Sequence, residues 1–339
     1  MELNLLPQKA DTTVFEGEGG AYYAWTAAKT PAVVQAAVGA GKFVLQPRGF
    51  AFPHYSDTSK IGYVFQGTCT VGLILPNNEE EKIIIINKGD AIPLQIGTIS
   101  WWFNNGDSDL TIIFIGESRQ SYTPGQFDYF FLAGAIGILA GFSTEFISNI
   151  YGLNDAQSKE LAKSQSNTLI IKVGANIHMP NKSNCKKEGY AINLDAMLSS
   201  NAKVEITAED SPLIDKIGLS PSLVRLEPET ILNPSYSMEH RIIYVIKGQG
   251  RIQIVGLNGA RVLDEIVEEG QLIVVPKFFV AALLANHKGL EFFCVSTSSR
   301  PFSKQIAGNT SPYKALSSSV LEAALNLSPE FVNIFKSKL

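Results

Sequence analysis

The phrase "PHYSDTSKIGYVFQG", starting at Pro53, returns as "PSYSMEHRIIYVIKG", starting at Pro234. An offset of 181 carries Pro53 to Pro234, Tyr55 to Tyr236, Tyr63 to Tyr244, Gly67 to Gly248 and Gly89 to Gly270. The repeat constrains the fold more than any other feature, because two copies of one unit must each bury a core. Each copy reads as a run of short strands. "KIGYVFQG", "TCTVGLIL", "KIIIIN", "DAIPLQIG" and "LTIIFIG" form the first set; "RIIYVIKG", "RIQIVGL", "QLIVVP", "FVAALLA" and "LEFFCVST" form the second. Both are rich in Ile, Val, Phe and Thr and are broken by Gly, Asn, Asp and Pro. Such spacing without interleaved helices predicts an all-β barrel or jelly roll in each half.

A second echo follows each barrel. "GFSTEFISNIYGLNDAQSKELAKS" from Gly141 matches "ALSSSVLEAALNLSPEFVNIFKSK" from Ala315 at an offset of 174. Phe142, Phe146, Ile147 and Leu153 fall on Leu316, Val320, Leu321 and Leu327 with helical apolar spacing. Asn154 and Ser328 stand at N-cap positions, and Pro329 suits a first helical turn. Each barrel should therefore carry a helical hairpin that cannot bury its apolar face alone. The polar stretch from Lys172 reads as the connector, giving units at 1–175 and 176–339.

With 45% hydrophobic and 18% charged residues, the chain can bury full cores. A net charge of −4 without a basic cluster gives no reason to expect a nucleic-acid partner. The apolar window Tyr129–Phe142 is interrupted by glycines and falls short of the ~20 residues a membrane span needs, so no membrane partner is expected. "MELNLLPQKADTTVFEGEGG" lacks the basic and apolar regions of a secretory signal. Cys69, Cys185 and Cys294 form neither a metal-type spacing nor a closed disulfide set. A cytoplasmic location is expected.

With "KGDAIPLQIGTISWWFNNGDSDL", "LAG", "GFSTEFISNIYGL", "GQLIVVPKFFV" and "IAGNTSPYKAL" added to the opening phrase, the chain resembles bicupins of the legumin-type seed globulins and, more distantly, germins. The resemblance implies a plant source, two jelly-roll barrels related by a pseudo-twofold axis, and a homotrimer linked by the helical arms. It also implies a metal pattern, G-x5-H-x-H-x3/4-E-x6-G followed by G-x5-P-x-G-x2-H-x3-N. Counted back from Gly67, the carboxylate position is Lys60 and the histidine positions are His54 and Ser56. Counted on from Gly89, the last histidine position is Ser100, with Asn104 retained. The second copy holds Ser235, Ser237, Arg241 and Ala281. Cations at both carboxylate positions would repel a divalent ion. No metal and no other cofactor is expected, and metal-dependent oxidase chemistry is not expected either.

If the replacements face inward, the first cup presents His54, Ser56, Lys60 and Ser100. Period-two neighbours add Phe52, Thr98 and Trp102. That is an apolar wall with a few polar groups, the composition of a small-molecule site. His54 either exchanges protons or bonds a core carbonyl. Lys60 either sits desolvated, with a lowered pKa, or reaches water at the mouth. Tyr63 is a candidate hydroxyl donor. In the second barrel Arg241 either binds an anionic ligand or pairs with Glu239 at the rim. "PKFFVAALLA" reads as filled, which places the functional cup in the first barrel.

Three functions compete. The first is a cofactor-free cyclase or isomerase acting on a small, largely apolar carbonyl or enol metabolite, with His54, Lys60 and Tyr63 catalytic. The second is ligand binding without turnover. The third is seed-type storage, against which stands the scarcity of nitrogen-rich arginine, found only at positions 48, 119, 225, 241, 251, 261 and 300.

Overall fold

The computed structural model describes residues 4–180, 187, 189–198 and 202–339. Cys185 and part of the connector lie outside the described residues. In the first barrel two sheets pack face to face. One has seven strands in the order Thr12–Gly17, Gly20–Ala24, Val38–Leu45, Leu110–Glu117, Lys60–Gln66, Asp90–Leu94, Ile192–Asn193. The other runs Tyr129–Phe131, Gly49–Ser56, Ile99–Phe103, Thr68–Ile74, Lys82–Asn87, with Ile170–Lys172 added to Gly49–Ser56. Ile192–Asn193, on the far side of the connector, thus completes the first barrel's sheet rather than the second's.

The second barrel is one curled eight-stranded sheet. Strands that are separate in the first copy are joined here: Arg241–Val255 and Val280–Ser296 pair along most of their length. Register shifts near Gly248 let this ribbon bend and serve both faces of the barrel. Gly67 and Gly248 both hold φ of +85°, and a Cβ at Gly248 would meet the Gly289 carbonyl oxygen at 2.1 Å. Only glycine makes that corner.

Alternation divides each strand's work. On Lys60–Gln66, the even residues Lys60, Gly62 and Val64 face their own cup, while Ile61, Tyr63 and Phe65 pack toward the second barrel. Tyr63 stacks on Phe293 at 4.8 Å between ring centres, and its repeat partner Tyr244 meets Trp25 edge-on at 5.9 Å. The two repeated tyrosines are therefore halves of one inter-barrel core.

The arms are helical hairpins: Thr144–Tyr151 with Asp155–Lys163, and Ser318–Leu325 with Pro329–Ser337. Asn154 and Gln157 form a capping box, and the Ser328 hydroxyl accepts the Phe331 amide. Each hairpin buries only one or two apolar residues beneath itself: Ile147 in the first, Leu321 and Val332 in the second. Phe146, at 60% exposure, and Ile334, at 56%, remain on open faces. Among the described residues no helix is long and apolar enough to cross a membrane.

Candidate functional site

A bulge decides what faces the first cup. Gly49–Ser56 pairs with Ile99–Phe103 through Ala51 opposite Trp102 and His54 opposite Ser100, with a register shift between. Phe52 and Pro53 occupy the shift, and proline suits it because it has no amide to place in a ladder. Ala51 and His54 both turn inward as a result. Strict alternation from His54 puts Phe52 in the cup, and the structure corrects this: Phe52 packs against Phe50 and beneath Gly134, outside it. The second copy repeats the device, with a shift between Leu232 and Ser235 that spans Pro234. The repeated proline is thus a repeated bulge, and it aims His54 and Ser235 into their barrels.

The cup itself is narrow and aromatic. Tyr22, Phe43, Trp102, Phe114, Tyr129 and Phe131 form most of its wall, and its cavity volume is about 30 Å3. By the measure in which one water needs ~10–15 Å3, that is room for about two. The Tyr129 hydroxyl donates to that of Tyr22 at 2.8 Å, and both rings also border a surface cleft of about 350 Å3. The tyrosine pair therefore separates cup from solvent.

Lys60 is only 4% exposed, so it does not reach the mouth. Its Nζ donates to Ser56 Oγ at 3.0 Å and lies 4.1 Å from the centre of the Tyr129 ring and 5.1 Å from that of Phe127. Burial lowers its pKa from 10.5 to about 7, against a smaller opposing pull from Asp57. His54 Nδ1 lies 2.7 Å from the carbonyl of Phe52 and donates to it. Burial, and then the charge on Lys60, hold the imidazole at about 4, so it is neutral at physiological pH. Trp102 Nε1 donates to Ser100 Oγ at 3.1 Å.

His54, Lys60, Ser100 and Trp102 are thus brought together. Ser56 stands behind Lys60 as its acceptor, and its hydroxyl donates a hydrogen bond to the Thr58 carbonyl at 3.1 Å. Thr98 is buried but lies off the cup wall. Tyr63 is a further correction: its hydroxyl donates to Asp195 at 2.7 Å on the inter-barrel side, too committed to serve as a donor in the cup. Sequence reasoning missed Tyr22, Phe43, Phe114, Tyr129 and Phe131. The signal available was parity on neighbouring strands: Phe43 and Phe114 occupy inward positions of Val38–Leu45 and Leu110–Glu117.

The second cup also departs from expectation. It is the larger, at about 110 Å3, and the more polar. Within "PKFFVAALLA" Ala281 and Leu283 line the cup, Phe279 and Ala285 are buried in the core beside it, and Phe278 and Leu284 point to solvent. The two cups can be compared through ladder register. Lys42 and Phe43 pair with Tyr23 and Tyr22, and Leu223 and Val224 pair with Val204 and Lys203. Where the first barrel has Tyr22, Phe43, Trp102 and Phe114, the second has Lys203, Val224, Leu283 and Cys294. Smaller side chains leave the space. Nor does Arg241 pair with Glu239, which accepts instead from the Ser237 hydroxyl at 2.6 Å and from the Phe302 amide.

Neither cup suits a divalent cation. An amine and hydroxyls accompany the lone imidazole of the first, and a guanidinium with hydroxyls fills the same places in the second. Among the described residues no three His, Cys, Asp or Glu side chains converge.

The family described as Cupin matches residues 3–159 and 197–333. Glutelin type-B 2 of Oryza sativa subsp. japonica is 24% identical over 379 residues, covering 87% of this chain and 76% of the glutelin. Pumpkin seed globulin superposes with a TM-score of 0.88 at 22% identity, covering 98% of this chain and 95% of its own. The 11S globulin of Wrightia tinctoria, described as revealing an auxin binding site, gives a TM-score of 0.88 at 20% identity, over 98% and 92% of the two chains. At these identities the superpositions speak for the fold alone.

Proposed function

Because the chain belongs to the cupin family, we propose that it is a metal-free bicupin globulin that holds a small, largely apolar molecule in its N-terminal cup without turning it over. One observation carries this reading. Lys60 is a buried donor that forms no ion pair among the described residues and faces an aromatic cavity of about 30 Å3. A neutral molecule of a few non-hydrogen atoms, with one oxygen to accept from Lys60, suits both the space and the walls. Larger metabolites require the rings of Tyr22 and Tyr129 to part. That a globulin of this fold is described with an auxin binding site is in keeping with a binding role. The likeness to a rice glutelin and to pumpkin seed globulin is in keeping with a globulin role too, although seven arginines in 339 residues make a poor nitrogen reserve.

Native mass spectrometry of protein taken from its source, followed by extraction, tests the proposal. One small molecule per chain is expected, released unchanged on denaturation. Tyr63→Phe retains it and Lys60→Met loses it. A second reading rests on the Lys60 amine, whose pKa of about 7 lets it give and take a proton near neutrality. Turnover of the extracted molecule, abolished by Lys60→Met, would establish the enzyme and overturn simple binding.

The open apolar arm faces also need cover, and we assign them to a homotrimer. Phe146→Asp combined with Ile334→Asp is expected to convert a three-chain species to single chains by light scattering. An unchanged mass would contradict arm-mediated assembly.

A further inference from the structure

The second cup contains a cation with one edge unused. Arg241 donates through Nη1 to Ser235 Oγ and through Nη2 to the Ser235 carbonyl, both at 3.0 Å. Its Nε is buried in the cup with no partner among the described residues. A guanidinium carries five donors in a planar fork, and the side formed by Nε and the remaining Nη2 hydrogen matches the spacing of two carboxylate oxygens. The acids nearby are otherwise engaged: Glu239 as described, and Glu205 with Lys203 at 3.2 Å. A largely buried guanidinium with no ion pair among the described residues is costly to fold, and a bound anion offsets that cost.

The surroundings fit an acid rather than a filled core. Ser222, Ser235 and Ser296 line the same cavity, and their hydroxyls can serve the second lone pairs of a bound oxyanion. At about 110 Å3 the space is several times that of the first cup and roughly seven times what one water needs. Val224, Leu283 and Phe292 supply apolar wall for a short carbon chain.

We infer that the second barrel is a binding site for a small organic carboxylate, held side-on by Arg241, with its carbon skeleton against Leu283 and Phe292. The site is independent of the first cup, so either can fail without the other.

The whole chain is titrated with sodium acetate, propionate and succinate at constant ionic strength, with chloride and inorganic phosphate as comparison anions. Calorimetry and thermal unfolding are the readouts. Saturable binding of at least one carboxylate is expected, tighter than phosphate. Arg241→Gln should weaken it by at least tenfold, and Arg241→Lys, which keeps charge but loses the fork, by a similar factor. Ser222→Leu, which fills the cavity without touching the guanidinium, should abolish it and covers the case in which Arg241→Gln fails to fold. Arg251→Gln, on an outer strand where Arg251 pairs with Asp264, should bind as the parent does. Failure of all three carboxylates to saturate the parent protein would overturn the inference. So would parent-like affinity in the folded Arg241 or Ser222 variants, and phosphate binding more tightly would reassign the site to tetrahedral anions.

Discussion

Lys60→Met raises the unfolding free energy at pH 7 by about 2–4 kcal/mol, since an apolar side chain of similar length replaces a buried cation that has no ion pair among the described residues. It also flattens the dependence on pH. In the folded protein the amine titrates near 7, against 10.5 when solvated. Between those values the unfolded chain binds the extra proton, so stability rises with pH across the window. The destabilisation is complete below pH 7, absent above 10.5, and roughly 5 kcal/mol in full. From pH 7 to 8.5 the parent protein should gain roughly 1–2 kcal/mol through this group, and Lys60→Met none. The comparison stops there because burial pushes Cys69 and Cys294 upward. Their unfolded thiols ionise first, so they lower stability above about pH 9.

His54 acts on the acid side. Its folded pKa of about 4 lies below 6.5, so the stability it supports above pH 6.5 is lost as pH falls toward 4. Part of that depression comes from the charge on Lys60, and Lys60→Met should therefore raise the His54 pKa measured by NMR. Urea unfolding at pH 7 and 8.5 checks the main effect. A variant less stable than the parent, with an equal slope, would show that the amine is solvated or paired.

Trp102→Ala is expected to cost about 3–5 kcal/mol. The indole is 2% exposed and packs edge-on against Phe114 at 5.5 Å and Phe43 at 6.2 Å, between the two sheets. Its removal opens an apolar cavity beside Lys60 that the rigid walls cannot close. Indole added to the variant should therefore raise its melting temperature by mass action and leave the parent protein unaffected. A loss under about 1 kcal/mol, or no response to indole, would mean that the sheets collapse onto the gap.

The two barrels, their strands and the hairpin arms are all readable from the repeats, because alternation and helical spacing survive in both copies. What faces the cups is harder to read. A proline bulge changes strand parity at Phe52, and no local pattern distinguishes that from a regular strand. Tyr63 could have been placed correctly, since it stands three residues from Lys60 and alternation sends it to the opposite face. The sizes of the two cups were hidden for another reason. They depend on residues far apart in the chain, Tyr22 and Phe43 on one side and Lys203 and Val224 on the other, that meet only through ladder register. Inspecting "PKFFVAALLA" alone overstated the filling because half of it points outward.

In both barrels a cation bonded to a serine stands at the position implied for a metal-binding carboxylate: Lys60 with Ser56, and Arg241 with Ser235. Elemental analysis after equilibration with manganese, iron, copper and zinc tests this arrangement directly. No stoichiometric metal is expected in either barrel, and His54→Ala should change nothing. One equivalent of any of these metals, lost on His54→Ala, would contradict it.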